Sequence, residues 1–227
     1  DAAVPVTGEP RVDVLSQSTA VERRSTARGI LEAVTGMPLG ERPVVLYAPT
    51  WRDGDPDPAV PSDVEWDGIR ELLERRDAVL LVRSHPLGAG DYSGAATTER
   101  VALLGGDLVP DVTPLLPGLD ALVTDSSSLA FDASLVPLPV LFLAPDLEAY
   151  TARRGLYGRY SDVAGDDPAR DWSALLAQMD AVLTDPEPRL AASRARSARV
   201  HAHRDGRNTE RVYRFIRARL GAQKGQR

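Results

Sequence analysis

Apolar positions along this chain follow two rhythms. Short unbroken runs occur at Val44-Val45-Leu46-Tyr47-Ala48, Val79-Leu80-Leu81-Val82, Ala121-Leu122-Val123-Thr124 and Val140-Leu141-Phe142-Leu143. Runs without polar alternation suit strands buried on both faces of a parallel sheet. Elsewhere the apolar spacing is helical, over residues 19–34, 69–76, 127–135, 172–183, 188–201 and 209–220. Strands alternating with helices predict an α/β fold: a Rossmann-like parallel sheet with helices on both faces.

Other segments are less periodic. Residues 5–11 read as a short strand ending in a turn, 107–109 as a second short strand, and 113–116 as one helical turn. Residues 51–63 are rich in Asp, Gly and Pro and predict an exposed, mobile loop, and 88–98 read as another loop. Pro186 and Pro188, then Asp205-Gly206, punctuate the last three helices. There is no internal repeat.

Composition narrows the class. The 227 residues suffice for one large domain, and 43% hydrophobic with 26% charged residues is ordinary for a globular protein. With no cysteine, disulfides and thiolate metal sites are excluded. No apolar run reaches bilayer length. The first residues lack the basic start and apolar core of a signal peptide, and the chain begins with Asp rather than Met, as a piece of something longer would. The net charge of −6 gives no support to nucleic-acid binding. Ten arginines nevertheless crowd residues 189–219. They read either as the solvated face of terminal helices or as a surface meeting anionic lipid or a polyphosphate polymer.

Ligands of such sheets sit beyond the carboxyl ends of the strands. Thr50-Trp51-Arg52, Ser84-His85, Thr124-Asp125-Ser126-Ser127-Ser128 and Asp146 all follow strands, so the polar residues gather on one rim. The stretch from Thr124 is a strand, a tight polar turn and a helix start, where hydroxyls and unpaired N–H groups favour a phosphate. Ser127 and Ser128 serve either as helix caps or as phosphate contacts sharing the same N–H groups. His85 suits general acid–base work or a hydrogen bond to a diphosphate. Arg52 reads as a bidentate phosphate donor or as a loop arginine paired with Asp53 or Asp55. Asp125 and Asp132 read as a carboxylate pair, or as a turn-orienting residue and an acceptor for a backbone N–H or an arginine. Arg153 and Arg154 can clamp an anion. His201 and His203, two apart, do not share a helix face, so no metal site is expected. No glycine-rich dinucleotide fingerprint, Walker loop or Gly-x-Ser-x-Gly elbow is present.

Taken in order, several segments resemble the CDP-glycerol glycerophosphotransferase family, the teichoic acid polymerases and primases of bacterial walls. They are Val6-Thr7-Gly8-Glu9-Pro10-Arg11-Val12-Asp13, Val44 through Arg52, Val82-Arg83-Ser84-His85-Pro86, Leu122 through Ser128, Phe131-Asp132, Asp146-Leu147-Glu148-Ala149-Tyr150 with Arg154-Gly155-Leu156-Tyr157, and Asp205 through Arg211. The resemblance implies the carboxyl-terminal, nucleotide-binding domain of a two-domain GT-B fold. Residues 1–15 would be the crossover from an absent amino-terminal domain, 16–222 the donor-binding domain, and 223–227 a disordered tail.

The resemblance also implies a reaction and its residues. An alditol phosphate passes from a CDP-activated donor such as CDP-glycerol to a hydroxyl of a lipid-linked primer or polymer, and CMP leaves. No cofactor or metal is implied, and the place of action is the cytoplasmic face of the bacterial membrane, peripherally. His85 matches the family's second catalytic histidine, and Ser127 and Ser128 match its phosphate-contacting serines. Asp125, Arg52, Ser126 and Thr124 follow as donor contacts, with Asp132, Arg154 and Asp146 as additional positions. The chain departs from the family pattern at Ser126, where Tyr is common, and at Ala133, where an aromatic is common. Two other readings stay open: a GT-B glycosyltransferase using a nucleotide sugar, and a nucleotide-binding domain with no catalysis of its own.

Overall fold

A computed structural model describes residues 4–224 except Pro86 and Ala89; the side chains of Ala96, Thr97 and residues 222–224 also fall outside the description. The five strands are β1 (Val44–Tyr47), β2 (Val79–Val82), β3 (Val101–Leu103), β4 (Ala121–Thr124) and β5 (Val140–Phe142). All pair in parallel in the order β3-β2-β1-β4-β5, with Leu46 opposite Leu81 on one side and Leu122 on the other. This doubly wound order places its switch point between β1 and β4, where a ligand crevice forms at the strands' carboxyl ends.

Alternation along each strand builds two cores. Val44, Leu46, Leu122 and Phe142 face one side, where α1 (Ala20–Thr35) contributes Ala27 and Leu31 and α3 (Leu129–Ser134) contributes Ala130 and Ala133. Val45, Tyr47, Val123 and Leu141 face the other, against Trp66, Ile69 and Leu73 of α2 (Asp63–Arg75) and Trp172, Leu175 and Met179 of α6 (Trp172–Thr184). With both faces covered, the strands need no polar residues, which explains their unbroken runs.

The remaining helices are α4 (Leu147–Arg154), α5 (Ser161–Ala164), α7 (Glu187–Val200) and α8 (Asn208–Lys224). Apolar spacing did not predict α4 or α5, because α4 buries no residue and α5 is a single turn. α2 begins earlier than its apolar spacing predicts: the Glu65 carboxylate accepts the Ser62 amide at 2.7 Å, a local capping signal at the true start. α8 continues to Lys224, so the tail expected from 223 does not start there, and 225–227 lie outside the described residues.

Three expectations are corrected. Residues 5–11 do not form a strand; Pro10–Ser16 is a 3₁₀ helix, with proline suited to its first turn. Residues 107–109 form no strand either, because Leu108 and Val109 turn back to donate to the Gly105 carbonyl, and the edge strand is Val101–Leu103. The loop over 51–63 is not uniformly exposed. Arg52, Asp57 and Ala59 are buried, and the Ala59 carbonyl accepts from both Tyr47 Oη and Trp172 Nε1 at 3.0 Å. Within 88–98, Ser93–Thr97 is a 3₁₀ turn.

The two ends of the chain meet. Buried Asp13 accepts the backbone amides of Asn208 at 2.9 Å and Thr209 at 2.8 Å, capping α8 from the opposite end of the sequence. Asn208 Nδ2 donates to the Glu9 carbonyl at 3.1 Å. Gly8 passes beside it at φ +76°, where an added Cβ would lie 2.1 Å from Asn208 Oδ1, so the close approach requires glycine.

Candidate functional site

A cavity of about 390 Å³ opens at the carboxyl ends of β1, β2 and β4. His85 lines it from the segment after β2, Ser127 and Ser128 from the turn after β4, Asp132 from α3, Arg11 from the 3₁₀ helix, and residues 110–113 close another side. The strand ends thus bring together residues that are distant in sequence.

Each side chain has a defined setting. His85 Nδ1 accepts the Leu87 amide at 3.1 Å, which leaves Nε2 to carry the ring proton. The indole of Trp51 stacks on the imidazole, 5.6 Å between centroids and 20° between planes. Ser127 Oγ accepts the Leu129 amide at 3.2 Å, while the carbonyls of Ser127 and Ser128 accept from Ala130 and Phe131. α3 has only six residues, so an anion at this turn would rest on hydroxyls and individual N–H groups more than on a long helix dipole. Ser128 is exposed and Ser126 and Ser127 are half-buried.

Asp132 is 3% exposed and faces Arg11 at 3.2 Å. Burial pushes its carboxyl above the ordinary range, and Arg11 offsets part of that rise. Removal from water disfavours the charged form of this carboxyl. Arg83, beside His85, donates Nη1 to the carbonyls of Leu104 at 3.1 Å and Val109 at 2.7 Å. Its guanidinium therefore shapes the loop that walls the cavity.

Arg52, Asp125 and Asp146 form an ionic cluster, and Arg52 and Asp146 line a second cavity of about 230 Å³ together with Trp51, Tyr150 and Arg154. Arg52 is 8% exposed. It donates Nη2 to Asp125 at 2.7 Å, Nε to Asp146 at 2.7 Å and Nη2 to Asp146 at 2.9 Å, under the ring of Tyr150. Asp125 also accepts the Thr50 amide at 2.8 Å. The Arg52 bonds hold the Asp146 carboxyl below the ordinary range. Its partners are thus not Asp53 or Asp55, and Nε, Nη1 and Nη2 all donate within the protein. Those two acids pair instead with Arg154 and Arg153. Arg154 also lies 5.0 Å from the Trp51 ring. Thr124 is fully buried and donates its hydroxyl to the Ala48 carbonyl at 2.8 Å, tying the ends of β4 and β1.

The structure therefore gathers His85, Ser127, Ser128 and Asp132 at one cavity, places Arg52, Asp146 and Arg154 at a second, and buries Asp125 and Thr124. Sequence reasoning passed over Trp51, Arg11 and Arg83 as contributors. Trp51 and Arg83 each adjoin a strand end, and Arg11 lies in a segment that carries the family resemblance; those are the available signals. Among the described residues, no group of three or more His, Asp or Glu is arranged to hold a metal ion.

The model of the family described as CDP-Glycerol:Poly(glycerophosphate) glycerophosphotransferase matches residues 1–218. The teichoic acid ribitol-phosphate primase of Bacillus spizizenii is 30% identical over 190 residues, 78% of this chain and 44% of that protein. The teichoic acid ribitol-phosphate polymerase TarL of Staphylococcus aureus is 26% identical over 213 residues, 92% of this chain and 36% of that protein. A solved structure of the wall teichoic acid polymerase TagF superposes with a TM-score of 0.72 at 24% identity, covering 96% of this chain and 53% of that one, and shares the fold. The chain spans less than half the length of these curated relatives. With that family match over nearly its whole length, the chain belongs to the CDP-glycerol:poly(glycerophosphate) glycerophosphotransferase family.

Proposed function

We propose that this chain is the donor-binding part of an alditol-phosphate transferase, the carboxyl-terminal domain of a GT-B pair. The observation that carries the reading is the convergence of His85, Ser127 and Ser128 on one cavity at the carboxyl ends of β2 and β4. The donor is a CDP-activated alditol. A hydroxyl of a polymer or lipid-linked primer attacks its β-phosphorus, the bond from that phosphorus to the bridging oxygen breaks, a phosphodiester forms, and CMP departs. Negative charge grows on the bridging oxygen and the departing phosphate. The serine hydroxyls, the N–H groups of their turn and the Nε2 proton of His85 donate to that charge from fixed positions. The proton of the attacking hydroxyl goes to a base outside this chain.

Asp132 faces the same cavity and is able to accept from hydroxyls of the nucleoside. Association with the membrane is peripheral in this reading; no helix among the described residues is long and apolar enough to cross a membrane.

The test is a thermal-shift comparison of CMP, CDP-glycerol and UDP-GlcNAc on the chain and on Ser127→Ala. Stabilisation by the cytidine compounds is expected, with affinity falling roughly tenfold in the variant, the worth of one hydrogen bond to a charged group. Equal shifts in chain and variant would remove Ser127 from the site. Stabilisation by UDP-GlcNAc alone would favour a nucleotide-sugar donor.

A further inference from the structure

The groove between α5 and α7 has no part in the donor reading. It encloses about 500 Å³, and α7 presents Arg189, Ala192, Arg196 and Arg199 to it from one helical face. Arg196 is only 7% exposed. Its Nε and Nη2 both donate to the Val163 carbonyl, at 3.1 and 2.7 Å, and its guanidinium lies 5.3 Å from the Phe142 ring centroid. Nη1 is buried with no hydrogen-bond partner among the described residues.

The neighbouring charges do not compensate it. Arg199 is exposed and donates to the Asp162 carbonyl, which bears no charge. Asp162's carboxylate is taken by Arg159 at 3.1 Å, and Arg189 pairs with Asp167 at 2.8 Å. Arg196 and Arg199 have no ion-pair partner among the described residues. Burial, then Arg199 and Arg189, pull the Arg196 guanidinium down to about 10, which still leaves it charged at neutral pH. A buried cation without a counter-charge is costly and attracts whatever anion reaches it.

We propose that this groove is an anion site for a phosphate group of a phosphodiester polymer. Arg199 presents N–H donors that match phosphate oxygens, Arg196 adds its charge from beneath, and Arg189 stays bonded to Asp167 at the groove's edge. The site is a recess, and none of the large exposed apolar side chains lines it. A membrane-binding face would carry such side chains, so a polymer is the better occupant. The groove touches Val140, the first residue of β5, whereas the donor cavity lies at the strands' other ends. It would hold a polymer away from the reacting phosphorus. The preference for an anion stands on the groove itself; the assignment to a polymer rests on the transferase reading.

The test is an NMR titration of the whole chain with inorganic phosphate, with short poly(glycerol phosphate) oligomers and with phosphatidylglycerol vesicles, at ionic strength fixed with chloride. Saturable shifts of the residue 161–165 amides are expected with phosphate and, at lower concentration, with the oligomers. Arg199→Glu should weaken both at least about tenfold and leave the CMP-induced shifts near Ser127 unchanged. Shifts equal in chain and variant, or confined to the His85 cavity, would overturn the site. A response to vesicles but not to oligomers would overturn the polymer assignment in favour of membrane contact. A groove response without any response to CMP counts against the donor reading and leaves the anion site standing.

Discussion

Arg52 shows how far a single residue can depart from its sequence neighbourhood. Its guanidinium reaches two acids more than seventy positions away, Asp125 and Asp146, instead of the adjacent Asp53 and Asp55. Burial alone would lower an arginine's pKa, but hydrogen bonds and charge from Asp146 and Asp125 outweigh it and push it further up. Removing this side chain would strand two shielded carboxylates. Arg52→Ala is therefore expected to cost about 3–5 kcal/mol, read as a lower urea midpoint, with Arg52→Lys recovering only part because an ammonium cannot reproduce the forked contacts. An unchanged midpoint with a loss of CMP binding would instead make Arg52 a ligand contact. Nothing in the sequence near Arg52 signals this pairing, since it depends on two strand ends and α4 meeting in space. His85 and Ser127 were legible for the opposite reason: each lies one short step beyond a strand, and the sheet alone fixes where that step leads.

Among the elements, α1 is bounded by signals within its own sequence. Thr19 and Glu22 form a local capping box for α1, and Gly36 ends that helix at φ +66°. α8 carries no such local signal. Its first amides bond to Asp13, nearly two hundred residues upstream, so residues 5–11 read as an isolated strand when they lead into a cap. Burial tends to raise the Asp13 carboxyl, but the amides of Thr209 and Asn208, with Arg211 nearby, outweigh it and hold it below its ordinary 3.8. A folded-state pKa lower than the unfolded one stabilises the protein above the ordinary value, and the benefit is lost as pH falls through it. Asp13→Asn is expected to cost about 1–2 kcal/mol at pH 7, as for other lost helix caps. The gap from the parent chain should narrow below pH 4 in acid-denaturation curves; a gap independent of pH would show that the carboxylate charge contributes nothing.

At the scale of the whole molecule, the parallel sheet was legible because strands covered on both faces leave no ambiguity of side. The same two-layer burial sorts the tryptophans. Trp66 and Trp172 are 3% and 2% exposed in the core against α2 and α6, beyond the influence of a visitor at the rim. Trp51 alone is half-buried beside the cavity, its indole lying against His85. The molecule thereby holds a native optical probe: one fluorophore stacked on the imidazole that lines the cavity, and two enclosed in the core. Emission should respond to added CMP, and the response should vanish in Trp51→Phe; a signal that persists in the variant would locate the nucleotide somewhere else.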